Sequence, residues 1–159
     1  MSPGSGAMEQ LYQQLILDHA RERHGYGLRG DVAAPTAGES FQVNPTCGDE
    51  VRLRVQVSPD GTAVADVSWE GVGCSISQAS TSVLTDMVAG TPLAEVTEFA
   101  DLFSELMHSR GAGLGPQAEE RLGDAAAFAG VSKYPARVKC AMLGWMALRD
   151  ALIKVSKGE

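Results

Sequence analysis

The stretch 51–69 leaves this chain little freedom of architecture. Val51, Leu53, Val55 and Val57 alternate with Arg52, Arg54 and Gln56, the period-two pattern of a strand with one buried face and one wet face. Pro59-Asp60-Gly61 then supplies turn chemistry. The returning strand sets Ala63, Ala65, Val67 and Trp69 on one face, and Val64, Asp66 and Ser68 on the other. Phe41 and Val43, just ahead of Pro45, add a third, short strand. A sheet this small does not hold alone, so its apolar face needs a cover.

The remaining apolar positions recur at helical spacing. Leu11, Leu15 and Ile16, with Met8, mark a helix over residues 8–22 that is expected to pack on the sheet. His19 and His24 stand at its end beside Arg21 and Arg23, where solvated side chains are the expectation. Residues 25–40 read as a loop. Ile76, Ala79, Val83 and Met87 form the stripe of a second helix closed by Gly90, in which Ser75, Ser77, Ser80, Thr81 and Ser82 permit close packing. Pro92 opens a third, with Leu93, Val96, Phe99, Leu102, Phe103 and Leu106 inward and His108 wet at its end. The glycine-rich run 111–116 lacks the preceding strand and following lysine of a phosphate loop, and reads as a connector.

A modest helix is predicted over 117–129, ended by Gly130. Pro135 opens a last helix with Cys140 in its first turn and Val138, Ala141, Met142, Trp145, Leu148, Leu152 and Val155 facing the core. Met142 and Met146 are expected to fill core space. The pattern as a whole predicts an α+β fold, a three-stranded antiparallel sheet packed on one side by several helices. With 159 residues and 44% hydrophobic content, one core is the natural outcome. Residues 8–159 are read as a single domain, and the Gly-, Ser- and Pro-rich residues 1–7 as a flexible tail or expression remnant.

The formal net charge of -7 and the absence of a long basic run argue against nucleic acid as a partner. No apolar run reaches the roughly 20 residues of a membrane span, and the N-terminus lacks a signal-peptide pattern. A cytoplasmic protein is the expectation. Three widely spaced cysteines without a secretion signal disfavour a disulfide framework.

Cys47 and Asp49 are separated only by Gly48, whose backbone freedom lets both side chains converge instead of diverging as strand neighbours do. Cys74 follows Gly71-Val72-Gly73 at a predicted helix N-terminus, where orphan N–H groups favour thiolate. Cys140 stands near another helix start. Cys47, Asp49, Cys74 and Cys140 are four donors, the number a tetrahedral zinc takes. The separations, 27 residues from Cys47 to Cys74 and 66 from Cys74 to Cys140, match no finger or ribbon spacing. From pattern alone, three small buried thiols remain an open alternative.

The stretches Asn44-Pro45-Thr46-Cys47-Gly48-Asp49, Gly71-Val72-Gly73-Cys74-Ser75-Ile76-Ser77 and Arg137-Val138-Lys139-Cys140-Ala141-Met142-Leu143 resemble the three cysteine motifs of the IscU/NifU-N-like family, over about residues 8–155. Within it, cluster-assembling scaffolds carry His before the third cysteine and the SufU type carries Lys; this chain has Lys139. Residues 102–123 resemble the helical insertion of the SufU type.

The resemblance implies an IscU-like fold and a zinc-dependent sulfur acceptor working with a pyridoxal-phosphate cysteine desulfurase of the SufS type and a downstream iron-sulfur assembly scaffold. It implies zinc on Cys47, Asp49, Cys74 and Cys140, with Cys47 receiving persulfide sulfur while a desulfurase histidine replaces it on the metal. Arg137 and Lys139 are candidates for electrostatic support. The alternative is an IscU-like scaffold that builds an iron-sulfur cluster on the same three cysteines.

Overall fold

The computed structural model describes residues 3–156, with side chains described from 9 to 155. Three strands, β1 (Ala37–Asn44), β2 (Asp49–Val57) and β3 (Val64–Val72), form one antiparallel sheet in the order β1-β2-β3. The helices are α1 (Pro3–Glu22), α2 (Ser75–Val88), α3 (Leu93–Met107), α4 (Pro116–Leu122) and α5 (Pro135–Ser156), with a 3-10 segment at Gly123–Lys133. The fold class is the α+β arrangement expected. Helices α2 and α5 cover one face of the sheet; α1, α3 and the 3-10 segment pack on those two as an outer layer, and α4 packs on α3 and the 3-10 segment. Among the described residues no helix is long and apolar enough to cross a membrane.

The hairpin forms where the alternation places it, with one change of face. Val55 pairs with Val67 and Gln56 with Asp66, but Val57 pairs with Val64, so Ala65 is an extra residue on β3. Such a bulge turns the residues beyond it over. Val64 therefore joins Val57, Val55 and Val67 in the core while Ala65 is exposed, the reverse of the simple alternation. On the far face, Arg29 from the loop after α1 pairs with Asp66 at 2.8 Å, and its backbone N–H donates to the buried Ser68 hydroxyl.

Small residues set the spacing beneath the sheet. A Cβ on Gly38 of β1 would stand 2.1 Å from the Ala151 carbonyl of α5, and one on Gly144 of α5 would stand 2.5 Å from Thr81 Oγ1 of α2. Of the hydroxyl residues of α2 expected to pack closely, Ser77, Ser80, Thr81 and Ser82 are buried, and Ser80 donates across to the Ala141 carbonyl at 2.7 Å, whereas Ser75, the first residue of the helix, is exposed. In the outer layer Phe103 stacks on Trp145 with centroids 4.9 Å apart and meets Phe128 edge-on at 5.8 Å.

Several local expectations are corrected. Helix α1 begins at Pro3 rather than at residue 8, so of the expected tail only residues 1 and 2 lie outside the described residues. It packs mainly on α2 and the 3-10 segment rather than on the sheet. Its inward stripe is Tyr12, Leu15, Ile16 and His19, and Leu11 faces solvent. His19 is therefore buried, because three residues beyond Ile16 falls on the same face. The helix predicted at 117–129 divides at Gly123, whose φ of 56° stops α4, and continues as the 3-10 segment. Met146 is exposed because it shares the wet face of α5 with Lys139, Arg149 and Ile153.

His24 fastens the end of α1. Its N–H donates to Ser82 Oγ at 2.8 Å and its carbonyl accepts from Trp69 Nε1 at 2.8 Å. Its ring lies between Asp86 and Glu22, at 2.6 and 2.9 Å, and those hydrogen bonds, Asp86 first, raise its pKa above the ordinary value.

Two outcomes are expected. Phe103→Ala should cost about 3–5 kcal/mol of unfolding free energy in urea, as removal of a fully buried aromatic does. A raised folded-state pKa means the His24 contribution is fully present below the unfolded value of about 6.5 and is lost as pH climbs through the folded value. The stability gap between the wild-type chain and His24→Gln should therefore be wider at about pH 5.5 than at about pH 9. A gap independent of pH would refute the pairing.

Candidate metal centre

The site is assembled where the β1–β2 turn, the start of β2, the start of α2 and the second turn of α5 meet. In the turn, Asn44 accepts from Gly48 N–H at its carbonyl (2.8 Å) and from Thr46 N–H at Oδ1 (3.2 Å). Gly48 has a φ of 75°, a left-handed conformation that other residues adopt only with strain. The reversal leaves Cys47 exposed at the turn, while Asp49, opening β2, is buried.

Asp49 is the link to α2. Cys74 is the N-cap of that helix, and its backbone N–H donates to Asp49 Oδ1 at 3.0 Å while its Sγ lies 3.6 Å from Oδ2. The room comes from Gly73, at which a Cβ would stand 2.5 Å from Asp49 Oδ1 and 2.6 Å from Ser77 Oγ.

Cys140 is the sixth residue of α5 and so belongs to its second turn, not the first. It is buried, with Sγ 3.6 Å from the Ala136 carbonyl and 3.4 Å from Cys47 Sγ. Asn44 Nδ2 approaches the same sulfur at 4.0 Å. All three cysteines are free thiols. One donor atom each from Cys47, Asp49 and Cys140 lies within 4.8 Å of the others. Cys74 joins this group through Asp49.

Burial opposes ionisation of Asp49, but hydrogen bonds from the Cys140 and Cys47 thiols and from Cys74 outweigh it and hold its pKa below the ordinary value. The reverse holds at Cys140, where burial first, and then Asp49 and the other two thiols, push the thiol pKa well up. An ionised carboxylate surrounded by three thiols that repel one another's charge is an environment that a divalent cation relieves. Three sulfurs and one oxygen are also a donor set suited to zinc. The 3.4 Å between Cys47 Sγ and Cys140 Sγ is close to the roughly 3.8 Å between two sulfurs on a tetrahedral ion. The residues present fit the metal.

The two cationic candidates stand apart from this contact network. Arg137 is exposed and lays its guanidinium over Tyr134 at 5.3 Å. Together with Lys133, Tyr12 and Ile76 it lines a groove of about 410 Å³ beside the start of α2. Lys139 is exposed. Neither hydrogen-bonds nor ion-pairs with Asp49 or the thiols. Asn44 and Gly73 are the supporting residues not singled out by residue type; their signal lay in their place within the two motifs.

Gly73→Ala tests the crowding. We expect it to displace Asp49 from the Cys74 N–H and to lower the chain's zinc affinity at least tenfold in chelator competition, with the far-UV circular dichroism unchanged. Undiminished affinity would show that the Asp49 position tolerates a methyl group.

Comparison with known proteins finds relatives that cover nearly the whole chain. The chain is 37% identical to the zinc-dependent sulfurtransferase SufU of Bacillus subtilis over 154 residues, 96% of each protein. It is also 37% identical to the iron-sulfur cluster assembly scaffold protein IscU of Streptococcus pyogenes, over 96% of this chain and 89% of the relative. Identity alone therefore does not separate the two kinds of relative. A crystal structure from Fervidobacterium islandicum, described as a candidate iron-sulfur cluster assembly scaffold for the SUF system, superposes with a TM-score of 0.72 at 32% identity, over 91% of this chain and 98% of that one. The sequence model of the NifU-like N terminal domain matches residues 11–154, a span that takes in the sheet, all three cysteines and Asp49, and the chain accordingly belongs to that family.

Proposed function

We propose that this protein is a zinc-dependent sulfur acceptor in iron-sulfur cluster assembly, taking persulfide sulfur from a pyridoxal-phosphate cysteine desulfurase of the SufS type. The observation that carries the reading is the unequal exposure of two thiols 3.4 Å apart: Cys47 lies open on a turn, and Cys140 is buried on a helix. Cys47, Asp49, Cys74 and Cys140 would hold the zinc, which when bound supplies the charge that keeps the thiols ionised at neutral pH.

The chain's own residues divide the work. Asp49 and Cys140 are anchored by β2 and α5, and Cys74 is anchored by its backbone bond to Asp49. Cys74 is exposed as well, but its backbone is held to Asp49, whereas Cys47 stands on a turn, so Cys47 is the thiol with more freedom to reach a donor. Its thiolate attacks the terminal sulfur of the desulfurase persulfide. A new S–S bond forms at Cys47, the donor S–S bond breaks, and the electron pair leaves with the desulfurase cysteine as thiolate. No external oxidant enters. The sulfur then passes to an assembly scaffold downstream.

Arg137 and Lys139 place two positive charges near the third cysteine and would steady the anionic cluster as Cys47 departs. Lys139 before Cys140, and the segment 102–123 read as the SufU-type insertion within a single domain, favour sulfur transfer. So does the similarity to the zinc-dependent Bacillus relative. A cytoplasmic location follows from the same reading. The equal similarity to the Streptococcus scaffold supports a second reading, in which an iron-sulfur cluster is built on the same cysteines.

Incubation with a SufS-type desulfurase and cysteine, followed by mass spectrometry, should find one added sulfur on the peptide containing Cys47, and none in Cys47→Ser. Transfer to Cys74 or Cys140 instead would overturn the assignment. Metal analysis of protein purified without air should give one zinc per chain and no visible absorption; bound iron with inorganic sulfide would favour the scaffold.

A further inference from the structure

A second convergence of ligand-type side chains lies away from the thiols. Ser82 is eight residues beyond Cys74, about 12 Å along α2 at 1.5 Å per residue. Around it, one donor atom each from His19, His24 and Asp86 lies within 4.8 Å of the others. His19 closes the inward stripe of α1, His24 follows that helix, and Asp86 stands on α2. Asp124, in the first turn of the 3-10 segment, brings Oδ2 to 3.6 Å from His19 Nε2. The two imidazoles meet edge to face, centroids 4.7 Å apart.

The hydrogen bonds divide each ring into an inner and an outer nitrogen. His19 Nδ1 is engaged by Ser82 Oγ at 2.7 Å, which leaves Nε2 toward Asp124. His24 Nε2 is engaged by Glu22 Oε1 at 2.9 Å, which leaves Nδ1 on Asp86 Oδ2 at 2.6 Å. A ring nitrogen fixed by a hydroxyl or carboxylate while the other faces a second donor is the outer-shell arrangement of metal-binding histidines. Asp86 and Asp124 also line a cavity of about 250 Å³, which gives access and room for a water. Among the described residues, the one cation on that cavity, Arg121, is occupied by Glu98 at 2.9 Å and by the Phe99 ring.

We propose that His19 Nε2, His24 Nδ1, Asp86 and Asp124 form a second divalent-cation site, of imidazole–carboxylate type and separate from the thiols. Two nitrogens with carboxylate oxygens select a first-row ion such as Zn2+, Co2+ or Fe2+ over Mg2+ or Ca2+. The three carboxylates, Glu22, Asp86 and Asp124, attract such an ion as they attract a proton to His24, so the two compete. Nδ1 and Oδ2 now sit at a proton-sharing distance, and they must part to roughly 3 Å to share a metal ion. His24 and Asp86 are both partly exposed, which permits the adjustment.

Co2+ is the discriminating probe, because cobalt on thiolates shows intense sulfur-to-metal charge-transfer absorption and cobalt on imidazole and carboxylate does not. Equilibrium dialysis of the zinc-loaded full chain at about pH 8.5, about two units above the ordinary imidazole value, should give one equivalent of cobalt without charge transfer. His24→Gln and Asp86→Asn, both at partly exposed positions, should each weaken that equivalent at least tenfold and leave the zinc content unchanged. In the wild-type chain the same cobalt should broaden the ring proton resonances of His19 and His24, a readout that needs no variant. Cobalt bound solely with charge transfer, equal binding by both variants, or unbroadened histidine resonances would each overturn the proposal.

Discussion

The carboxylate of Asp49 is the contact on which the site depends. As the first residue of β2 its position is set by the sheet register, which pairs it with Asn44 across the turn. By accepting the Cys74 N–H it fastens the start of α2, and by facing Cys140 it ties both to α5. A buried anion is tolerated only where donors or a cation compensate it. The backbone N–H and the thiols meet part of that demand, and a divalent ion would meet the rest. Remove the anion, and sheet, α2 and α5 lose their shared reason to meet at this corner.

Rigidity and access are divided unequally among the four side chains. Asp49 and Cys140 are buried on regular elements, whereas Cys47 is carried by four turn residues, 45–48, with left-handed Gly48 beside it. A closed set of four protein ligands is ordinarily structural. On the proposed reading, one ligand on a short exposed turn would allow the set to open without unfolding anything else. Helix α2 serves both candidate sites, with Cys74 at its start and Ser82 and Asp86 two to three turns on. Its run of small buried residues lets α1 and α5 approach closely enough for side chains from different elements to meet.

Much of this was legible in the residues. The alternation in 51–57 and the turn at 59–61 defined the hairpin, and Gly48 between Cys47 and Asp49 signalled convergence, which the positive φ bears out. Less legible were features in which polar and apolar residues exchange their usual places. His19 looked like a solvated helix end, although its spacing from Tyr12, Leu15 and Ile16 puts it on the inward stripe; a buried imidazole needs partners, and Ser82 and Asp124 come from distant elements. The bulge at Ala65 left no mark in the sequence, because Ala63 and Ala65 suit either face. Met146 has the residue type of a core filler, but its position on α5 faces solvent.

The sequence by itself determined the strands, the amphipathic helices and the four residues whose chemistry suits a metal, because these are local properties of spacing and side-chain type. Only the tertiary structure decided that Cys140 lies 3.4 Å from Cys47 across 93 positions of chain, and that His19, His24 and Asp86 share one corner. Those distances depend on how closely helices pack on the sheet and on each other. That closeness is set by contacts such as Gly38 against Ala151 and Gly144 against Thr81, between residues far apart in sequence, which no local pattern encodes.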